Sequence, residues 1–285
     1  MHSVLVTFAQ SIRHCLDGSG VIEDGFDTTM NRFDKIIEIR QSLAEGQTSI
    51  GSWMQIPHAS VAEVMGQAGY DWVAVDLEHG AISTHLLPDL FRALELGGTL
   101  PLARIALGNP TDCKQALDAG AGGVIVPMVE NAAQLLQVRN ACCWPPVGSR
   151  GVGFSRANLF GKYFERYVEE AKAPLFVAMI ENIHAVKGLE EILRVEGLDA
   201  ILIGPYDLSA SMGLTARFDA PEFVSAMEHI HTLCMRYNIP CGVHVVMPDA
   251  KALEQRISEG YRFIAYSMDA IFLHSCAENP CSIVK

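Results

Sequence analysis

Short apolar runs alternate with longer amphipathic segments along most of this chain. The apolar runs have the length of buried strands and recur eight times, at residues 50–56, 72–76, 102–105, 123–129, 175–181, 200–204, 242–246 and 263–267. Between them, apolar residues at a helical period predict helices over 61–68, 86–96, 112–119, 132–142, 184–191, 222–237 and 249–258, and a short one after Asp269. Eight strand-then-helix units predict an α/β fold, a (β/α)8 TIM barrel.

A doubly wound parallel sheet is the alternative architecture for the same alternation. No Gly-x-Gly-x-x-Gly follows the first predicted strand, so a dinucleotide site typical of that architecture has no support. Before this strand, the spacing predicts a helix that begins at Met30 and stops at Gly46, and we expect it to cover the bottom of the barrel. Residues 1–29 lack this pattern and are predicted to be a flexible extension, with residues 30–285 forming a single barrel domain. The connection over 143–174 is predicted to be one long functional or inter-subunit loop.

Composition excludes several classes of partner. The 285 residues carry a net charge of −12, from 21 basic and 33 acidic side chains, with no basic block. Such a chain is a poor ligand for nucleic acids or anionic membranes, and its apolar runs are too short to span a bilayer. The eight cysteines are scattered without a Cys-x-x-Cys pair, which predicts reduced thiols in a cytoplasmic protein.

Two of the apolar runs end in a lone acid, Glu181 and Asp207. The carboxyl ends of strands are where α/β barrels hold their chemistry, and Mg2+ is commonly bound by one or two protein carboxylates. These two acids therefore predict a site for a hard divalent cation. The alternative is that each acid caps the helix that follows it. Neither acid has His or Cys at zinc-type spacing, so zinc is not indicated.

The ends of the second and third strands add polar candidates. Asp76 and Glu78 share a face, with His79 on the turn beyond, which is typical of a histidine base flanked by acids or of an ordinary polar strand end. Arg104 lies inside an apolar run, where an arginine is costly unless it meets an anion. We interpret it as an anion clamp or as half of a structural ion pair. His244, within another apolar strand, could face the barrel mouth, but we interpret it as a core histidine.

Six segments, taken together and in order, resemble one enzyme family. They are AGYDWVAVDLEHG (68–80), PLARI (101–105), LDAGAGGVIVPMV (117–129), WPPVGSRGVG (144–153), VAMIE (177–181) and VEGLDAILIGPYDLSASMG (195–213). The resemblance is to the metal-dependent (class II) pyruvate aldolases of the 4-hydroxy-2-oxoheptanedioate and 2-dehydro-3-deoxyglucarate aldolase family, within the phosphoenolpyruvate/pyruvate superfamily. It extends from about Met30 to the end of the chain.

The resemblance implies a role for each matched residue. His79 corresponds to the general base, and Arg104 to the group that stabilises the enolate and aldol oxyanion. Asp118 corresponds to an acid that raises the basicity of the histidine. Glu181 and Asp207 correspond to the metal ligands. The backbone around Gly204, Pro205 and Tyr206 corresponds to the segment that meets the pyruvate carboxylate. Asp207 and Arg104 also correspond to substrate-binding residues.

The resemblance also implies a reaction, a cofactor and an assembly. The reaction is reversible cleavage of a 4-hydroxy-2-oxo acid to pyruvate and an aldehyde through a metal-bound pyruvate enolate, with Mg2+ or Mn2+, or else Co2+. Oxaloacetate decarboxylation and a non-catalytic barrel are the alternatives. Family members exchange their last helix and form hexamers as trimers of dimers. Many carry Gln where this chain has Met179, and a thioether cannot replace the amide as a hydrogen-bond donor to the substrate.

Overall fold

Eight parallel strands close into a barrel in the computed structural model, which describes residues 31–277 and 281. The strands follow one another in chain order and the first pairs with the last, which leaves no sheet edge open. Their bounds are β1 Ser49–Met54, β2 Trp72–Asp76, β3 Leu100–Arg104, β4 Gly123–Val126, β5 Leu175–Ile180, β6 Ala200–Ile203, β7 Cys241–Val245 and β8 Phe263–Met268. The predicted TIM barrel is confirmed. The predicted extension over residues 1–29 lies outside the described residues.

Helices surround the barrel and connect consecutive strands. Their bounds are α1 Arg32–Ala44, α2 Ala59–Gly66, α3 Leu87–Leu96, α4 Pro110–Ala119, α5 Ala132–Cys142, α6 Phe164–Lys172, α7 Ile183–Lys187, α8 Leu189–Ile192, α9 Pro205–Ser211, α10 Pro221–Tyr237, α11 Ala250–Ser258 and α12 Asp269–Cys276. Two 3-10 segments, Thr84–Leu86 and Arg156–Gly161, lie within connections. Among the helices described, none is long and apolar enough to cross a membrane.

The helices differ from the predicted ones at three places. Helix α6 lies inside the connection that was predicted to be one loop, and it packs Tyr167 and Ala171 against Trp144. Its sequence is dominated by charged side chains, which hid the short apolar face. Helix α9 has seven residues and follows β6 without a loop, too short for a periodic signal. The helix predicted over 184–191 is two helices, α7 and α8, which meet at Gly188.

Helix α1 closes the end of the barrel where the strands begin, as predicted. It begins two residues after the predicted Met30, because the side chain of Asn31 accepts a hydrogen bond from the Phe33 N–H and caps the helix. Its buried side chains join the cluster of apolar residues that fills the barrel interior. They are Ile36, Ile39 and Leu43. At the edge of this buried face, Arg40 forms two hydrogen bonds with the carboxylate of Asp199, just before β6.

Large aromatic rings fill the lower barrel and depend on glycine in neighbouring strands. The rings of Trp72 and Phe263 stack with centroids 4.4 Å apart. Gly51 lies against this stack, and a Cβ atom there would stand 2.0 Å from the Trp72 ring. Gly123 opens β4, and a Cβ atom there would stand 2.2 Å from the carbonyl oxygen of Leu175 in β5. The barrel therefore closes only with glycine at these contacts.

We expect Gly123→Ala to destabilise the fold by roughly 1–3 kcal/mol, because the added methyl group meets backbone atoms of β5 that cannot rotate away. Gly153→Ala is the matched control, since a Cβ atom there has no neighbour within 4 Å. Urea unfolding of both variants measures the difference in free energy. Equal unfolding midpoints for the two variants would contradict the close approach of β4 and β5.

Candidate active site

A small cavity of about 170 Å3 lies at the carboxyl ends of the strands. Its lining includes His79, Arg104, Met179, Asp207 and His244, which come from the ends of five different strands or the segments that follow them. Ligand pockets commonly measure roughly 300–1,000 Å3, so this cavity suits a small ligand. The strand-end position is the one at which barrels of this architecture hold their chemistry.

Asp76 and Arg104 form a buried ion pair across the ends of β2 and β3. The two residues are direct partners in the strand register, and the guanidinium binds the carboxylate through two hydrogen bonds, of 2.8 Å from Nε and 2.5 Å from Nη2. Asp76 also accepts a 2.8 Å hydrogen bond from the side chain of Gln55. Burial by itself raises the pKa of Asp76, but the hydrogen bonds and charge of Arg104 outweigh it and leave the pKa lowered.

Arg104 nevertheless keeps part of its guanidinium for the cavity. Its Nη1 does not contact Asp76; it lies 3.1 Å from a carboxylate oxygen of Glu78 and 4.0 Å from the sulfur of Met179. The guanidinium carbon stands 4.7 Å from the centroid of the Trp53 ring, a cation–π contact. Both interpretations of this arginine therefore have support: it is half of an ion pair, and it presents one nitrogen to the site.

Glu181 follows β5 directly and is 1% exposed. One carboxylate oxygen accepts a 2.6 Å hydrogen bond from the Met128 N–H. The other faces Gly204, where a Cβ atom would stand 2.7 Å from it. Burial raises the pKa of Glu181 to about 7, and the negative charges of Glu78 and Asp207 act in the same direction, against Met128 and Arg104. The charged form of Glu181 is thus stabilised less in the fold than it is in water.

Neither of the two lone acids caps its following helix through a side-chain hydrogen bond. Helix α7 is capped by Asn182, whose side chain accepts from the His184 N–H, and Glu181 takes no part. Helix α9 has Gly204 at its cap position and no side-chain cap bond. Asp207 lies in the first turn of α9 with its side chain exposed, lining the cavity. The helix-cap alternative is therefore weakened for both acids.

The charges around the cavity fit a hard divalent cation. Three carboxylates repel one another here, those of Glu78, Glu181 and Asp207. The cation beside them is Arg104, which already forms an ion pair with Asp76. Oxygen Oε2 of Glu78 is enclosed and lies 3.1 Å from Nη1 of Arg104, an ion pair without the geometry of a hydrogen bond. No group of three or more metal-ligating side chains occurs within residues 31–277 or at 281. Two carboxylates remain the fitting donor set, which is the number that Mg2+ commonly takes from a protein.

His79 and Asp118 are not in contact within the chain, although the family resemblance implies that the acid raises the basicity of the histidine. His79 stands at the cavity mouth with 58% of its side chain exposed and its Nε2 4.0 Å from Glu78. Asp118 lies in the last turn of α4, which leads into the start of β4, whereas His79 follows the end of β2. Asp118 instead forms an ion pair of 3.3 Å with Arg150. The structure therefore brings Glu181, Asp207, Arg104 and His79 together and leaves Asp118 outside the group.

Three residues of the site were missed or misread from the sequence. Gln55 and Trp53 come from the end of β1, where no acid or base marks the strand. His244 was interpreted as a core histidine, but it lines the cavity and is only half-buried. Its ring meets the Trp53 ring edge-on at 5.9 Å, and its Nε2 donates to the carbonyl of Ser267 at 3.3 Å. The alternation of residues along β7 was the available signal, since it turns position 244 inward.

Comparison with known proteins places the chain among aldolases. Residues 49–275 match the profile of the family described as HpcH/HpaI aldolase/citrate lyase. The chain is 34% identical over 237 residues to a hydroxypyruvate/pyruvate aldolase of Roseobacter denitrificans, covering 82% of this chain and 91% of that one. It is 32% identical over 250 residues to a 2-keto-3-deoxy-L-rhamnonate aldolase of Salmonella gallinarum, covering 86% and 92%. A crystal structure of a protein of the same family from Burkholderia cenocepacia superposes with a TM-score of 0.80 and 28% identity, covering 87% and 98%.

We expect Mg2+ or Mn2+ to raise the melting temperature of this protein, because an ion that binds only the folded chain stabilises it by about 2.7 kcal/mol at one hundred times its dissociation constant. Glu181→Gln keeps the shape of the side chain but removes its charge, so most of the rise should disappear. Thermal unfolding with the ion and with EDTA measures it. Glu222→Gln, an exposed acid in the first turn of α10, is the control and should keep the full rise. An undiminished rise in Glu181→Gln would remove Glu181 from the metal site.

A second prediction concerns the charge of His244. Burial lowers its pKa from 6.5 to about 4, with the charge of Arg104 acting in the same direction and Ser267 and Asp76 opposing. Between pH 6.5 and 4 the unfolded chain binds a proton at this residue that the folded chain does not, so stability falls as the pH falls. The loss approaches roughly 3 kcal/mol at the acid end of that window.

Denaturant unfolding at several pH values tests this dependence. His244→Leu should lose less stability than the wild type between pH 6.5 and 4, because it has no group to protonate. His229→Leu is the control, since His229 is exposed on α10, and it should follow the wild type. Superimposable curves for the wild type and His244→Leu would show that His244 is not held neutral.

Proposed function

The chain belongs to the HpcH/HpaI aldolase/citrate lyase family, and on this premise we propose that it cleaves a small 4-hydroxy-2-oxo acid reversibly to pyruvate and an aldehyde, with a divalent metal held by Glu181 and Asp207. Membership confirms the predictions of the family and of a carbon–carbon lyase. The observation that supports the rest of the proposal is that Asp207 and the anchored Arg104 line one small cavity, while the buried carboxylate of Glu181 lies close enough to interact with the charges of both.

Glu181 and Asp207 are the residues that would hold Mg2+ or Mn2+, with Co2+ as a further candidate. When bound, such an ion supplies a Lewis acid that polarises the keto group of an oxo acid. Glu181 presents one oxygen, because its other oxygen is already bound to the Met128 N–H. That bond fixes the direction of the carboxylate. Glycine at position 204 leaves the second oxygen accessible, since any larger side chain would collide with it.

Arg104 is proposed to stabilise the negative charge that develops on the keto oxygen when the methyl group of pyruvate loses a proton. Its Nε and Nη2 are bound to Asp76, which fixes the guanidinium, and Nη1, beside Glu78, is the nitrogen proposed to donate to the substrate. The Trp53 ring holds the other face of the guanidinium. A donor anchored in this way loses little free energy to reorganisation.

His79 is proposed as the group that takes up and returns a proton at the cavity mouth. It lines the cavity, its ring is exposed enough to exchange protons with solvent, and its Nε2 lies 4.0 Å from the carboxylate of Glu78. The acid predicted to assist it, Asp118, has its contacts elsewhere in the chain, so its assistance stays a prediction. Gly204, Pro205 and Tyr206 line the same cavity, which supports their proposed contact with the oxo-acid carboxylate.

We also infer that copies of the chain associate, in agreement with the predicted homohexamer. The connection between α5 and α6 exposes large apolar side chains, among them Val152, Phe154 and Phe160, which are 56%, 73% and 69% exposed. A cluster of exposed apolar groups of this kind is typical of a contact between proteins. The predicted cytoplasmic location rests on the reduced cysteines that the sequence predicts.

Asp207→Ala should abolish metal-dependent exchange of the pyruvate methyl protons with deuterium in D2O, since the proposal makes Asp207 a metal ligand. EDTA should have the same effect on the wild type. Proton NMR of the pyruvate methyl signal measures the exchange rate directly. Glu222→Ala is the matched control, because Glu222 also occupies the first turn of a helix but lies outside the cavity, and its exchange should equal that of the wild type. Full exchange in Asp207→Ala, or exchange that survives EDTA, would overturn the metal mechanism.

A further inference from the structure

His244 stands where two cavities meet. The small cavity contains Arg104 and Asp207, and a larger one of about 640 Å3 lies outside it between β7, α10 and α11. Tyr206, His244 and Val246 line both. A substrate whose oxo-acid end lies at Arg104 and Asp207 therefore places its remaining atoms near His244, which lines the same small cavity. This statement rests on the proposed function, which assigns the oxo-acid end to the small cavity.

The surroundings of His244 determine which of its nitrogens can meet a ligand. The partner of Nε2 is a carbonyl oxygen, Ser267 O, so Nε2 carries the proton and donates it. Burial keeps the ring neutral at physiological pH, because it lowers the pKa to about 4. In a neutral ring with a protonated Nε2, Nδ1 carries a lone pair and acts only as an acceptor. The ring is held in this orientation by its contact with the Trp53 ring.

Nδ1 is open toward the cavities. This nitrogen has no hydrogen-bond partner in the described part of the chain. The protein does not enclose it, so a ligand can reach it. Met179 and Val246, which line the small cavity together with His244, are apolar. A donor on the substrate is thus the complementary group, and a hydroxyl group is the donor that hydroxylated aldehydes provide.

A second carboxylate on the substrate would find only cations that already have acidic partners on the walls of the two cavities, within the described residues. Arg104 is the only arginine or lysine that lines the small cavity within the described residues, and it already meets Asp76 and Glu78. Arg256 is the only one that lines the larger cavity in that same part of the chain, and it is paired with Glu259 at 2.6 Å. The lone pair of His244 would repel an anion further.

We propose that Nδ1 of His244 accepts a hydrogen bond from a hydroxyl group on the aldehyde-derived part of the substrate, and that the enzyme thereby selects hydroxyaldehydes over apolar aldehydes and over aldehydes with a carboxylate. His244 is in this account a specificity-determining residue. Sites built around a hydrogen bond to a substrate hydroxyl reject analogues without it more strongly than apolar pockets reject a change of size.

The test is aldol addition of pyruvate, with Mg2+, to glycolaldehyde and to propanal, which differ by a hydroxyl in place of a methyl group. The measured quantity is the ratio of kcat/KM for glycolaldehyde to that for propanal. We expect His244→Leu to lower this ratio about tenfold relative to the wild type, the usual effect of one lost hydrogen bond. His244→Asn retains an acceptor near the position of Nδ1 and should recover part of the ratio. His229→Leu, the same substitution on the surface, should leave it unchanged.

Each outcome separates this inference from the function on which it rests. Methyl-proton exchange of pyruvate by the wild type, together with the tenfold fall in His244→Leu, supports both. Exchange with the same aldehyde ratio in the wild type and His244→Leu overturns the role of His244 and leaves the aldolase function in place. Equal use by the wild type of glycolaldehyde and of succinic semialdehyde, which carries a carboxylate, would also overturn the inference and leave the aldolase function in place. Absence of exchange in the wild type overturns the proposed function and the inference with it.

Discussion

The buried pair of Asp76 and Arg104 organises the whole carboxyl-terminal end of the barrel. The strand register of β2 and β3 sets the two side chains opposite each other, and two hydrogen bonds leave one guanidinium nitrogen for the cavity. The carboxylate of Asp76 also accepts hydrogen bonds from the backbone N–H groups of Glu78 and His79, at 3.0 and 3.3 Å. Asp76 therefore positions the arginine and also the turn that carries the histidine. Removing one partner of such a pair commonly costs about 3–5 kcal/mol, because the other charge is left buried and alone.

An excess of negative charge surrounds this pair. Asp76 and Glu78 meet Arg104, and among residues 31–277 and 281 neither Glu181 nor Asp207 has an ion pair of its own. The pKa of Glu181 is raised, mainly because the residue is buried. The rise shows that the charged form of this carboxylate is unfavourable in its surroundings. A divalent cation would relieve that cost and would also attract an anionic oxo acid into an otherwise acidic protein. Stability and the proposed catalysis are thus coupled at this site, since Glu181, whose charge is costly in the fold, is one of the two proposed metal ligands.

Periodicity alone predicted the barrel and the acids at its strand ends, because both are local properties of the chain. Glu181 and Asp207 each terminate an apolar run, and that position leads to the same end of the barrel wherever the strands are parallel. The partners of Arg104 were harder to predict. Trp53 in β1, about fifty residues away, stacks on the guanidinium, and Gln55 just after β1 binds the carboxylate of Asp76 that holds it; β1 itself carries no acid or base.

Other features depended on contacts that a sequence pattern does not contain. His244 was interpreted as a core residue because its strand is apolar, and only the packing of Trp53 and Ser267 around its ring shows that one nitrogen stays open. Asp118 matched a family motif, yet within the chain it pairs with Arg150. Helix α6 was hidden by its charged surface, although Tyr167 anchors it to Trp144. In each case the deciding interaction joins residues that are distant in the chain.

The central claim is that Glu181 and Asp207 hold one divalent cation beside Arg104. A crystal of the protein grown with Mn2+ and pyruvate, measured for anomalous scattering from manganese, tests it most directly. The account predicts a single strong anomalous peak in contact with both carboxylates, with the oxo acid between this peak and Arg104. A peak elsewhere, or pyruvate bound at Arg104 with no metal at the two carboxylates, would contradict it.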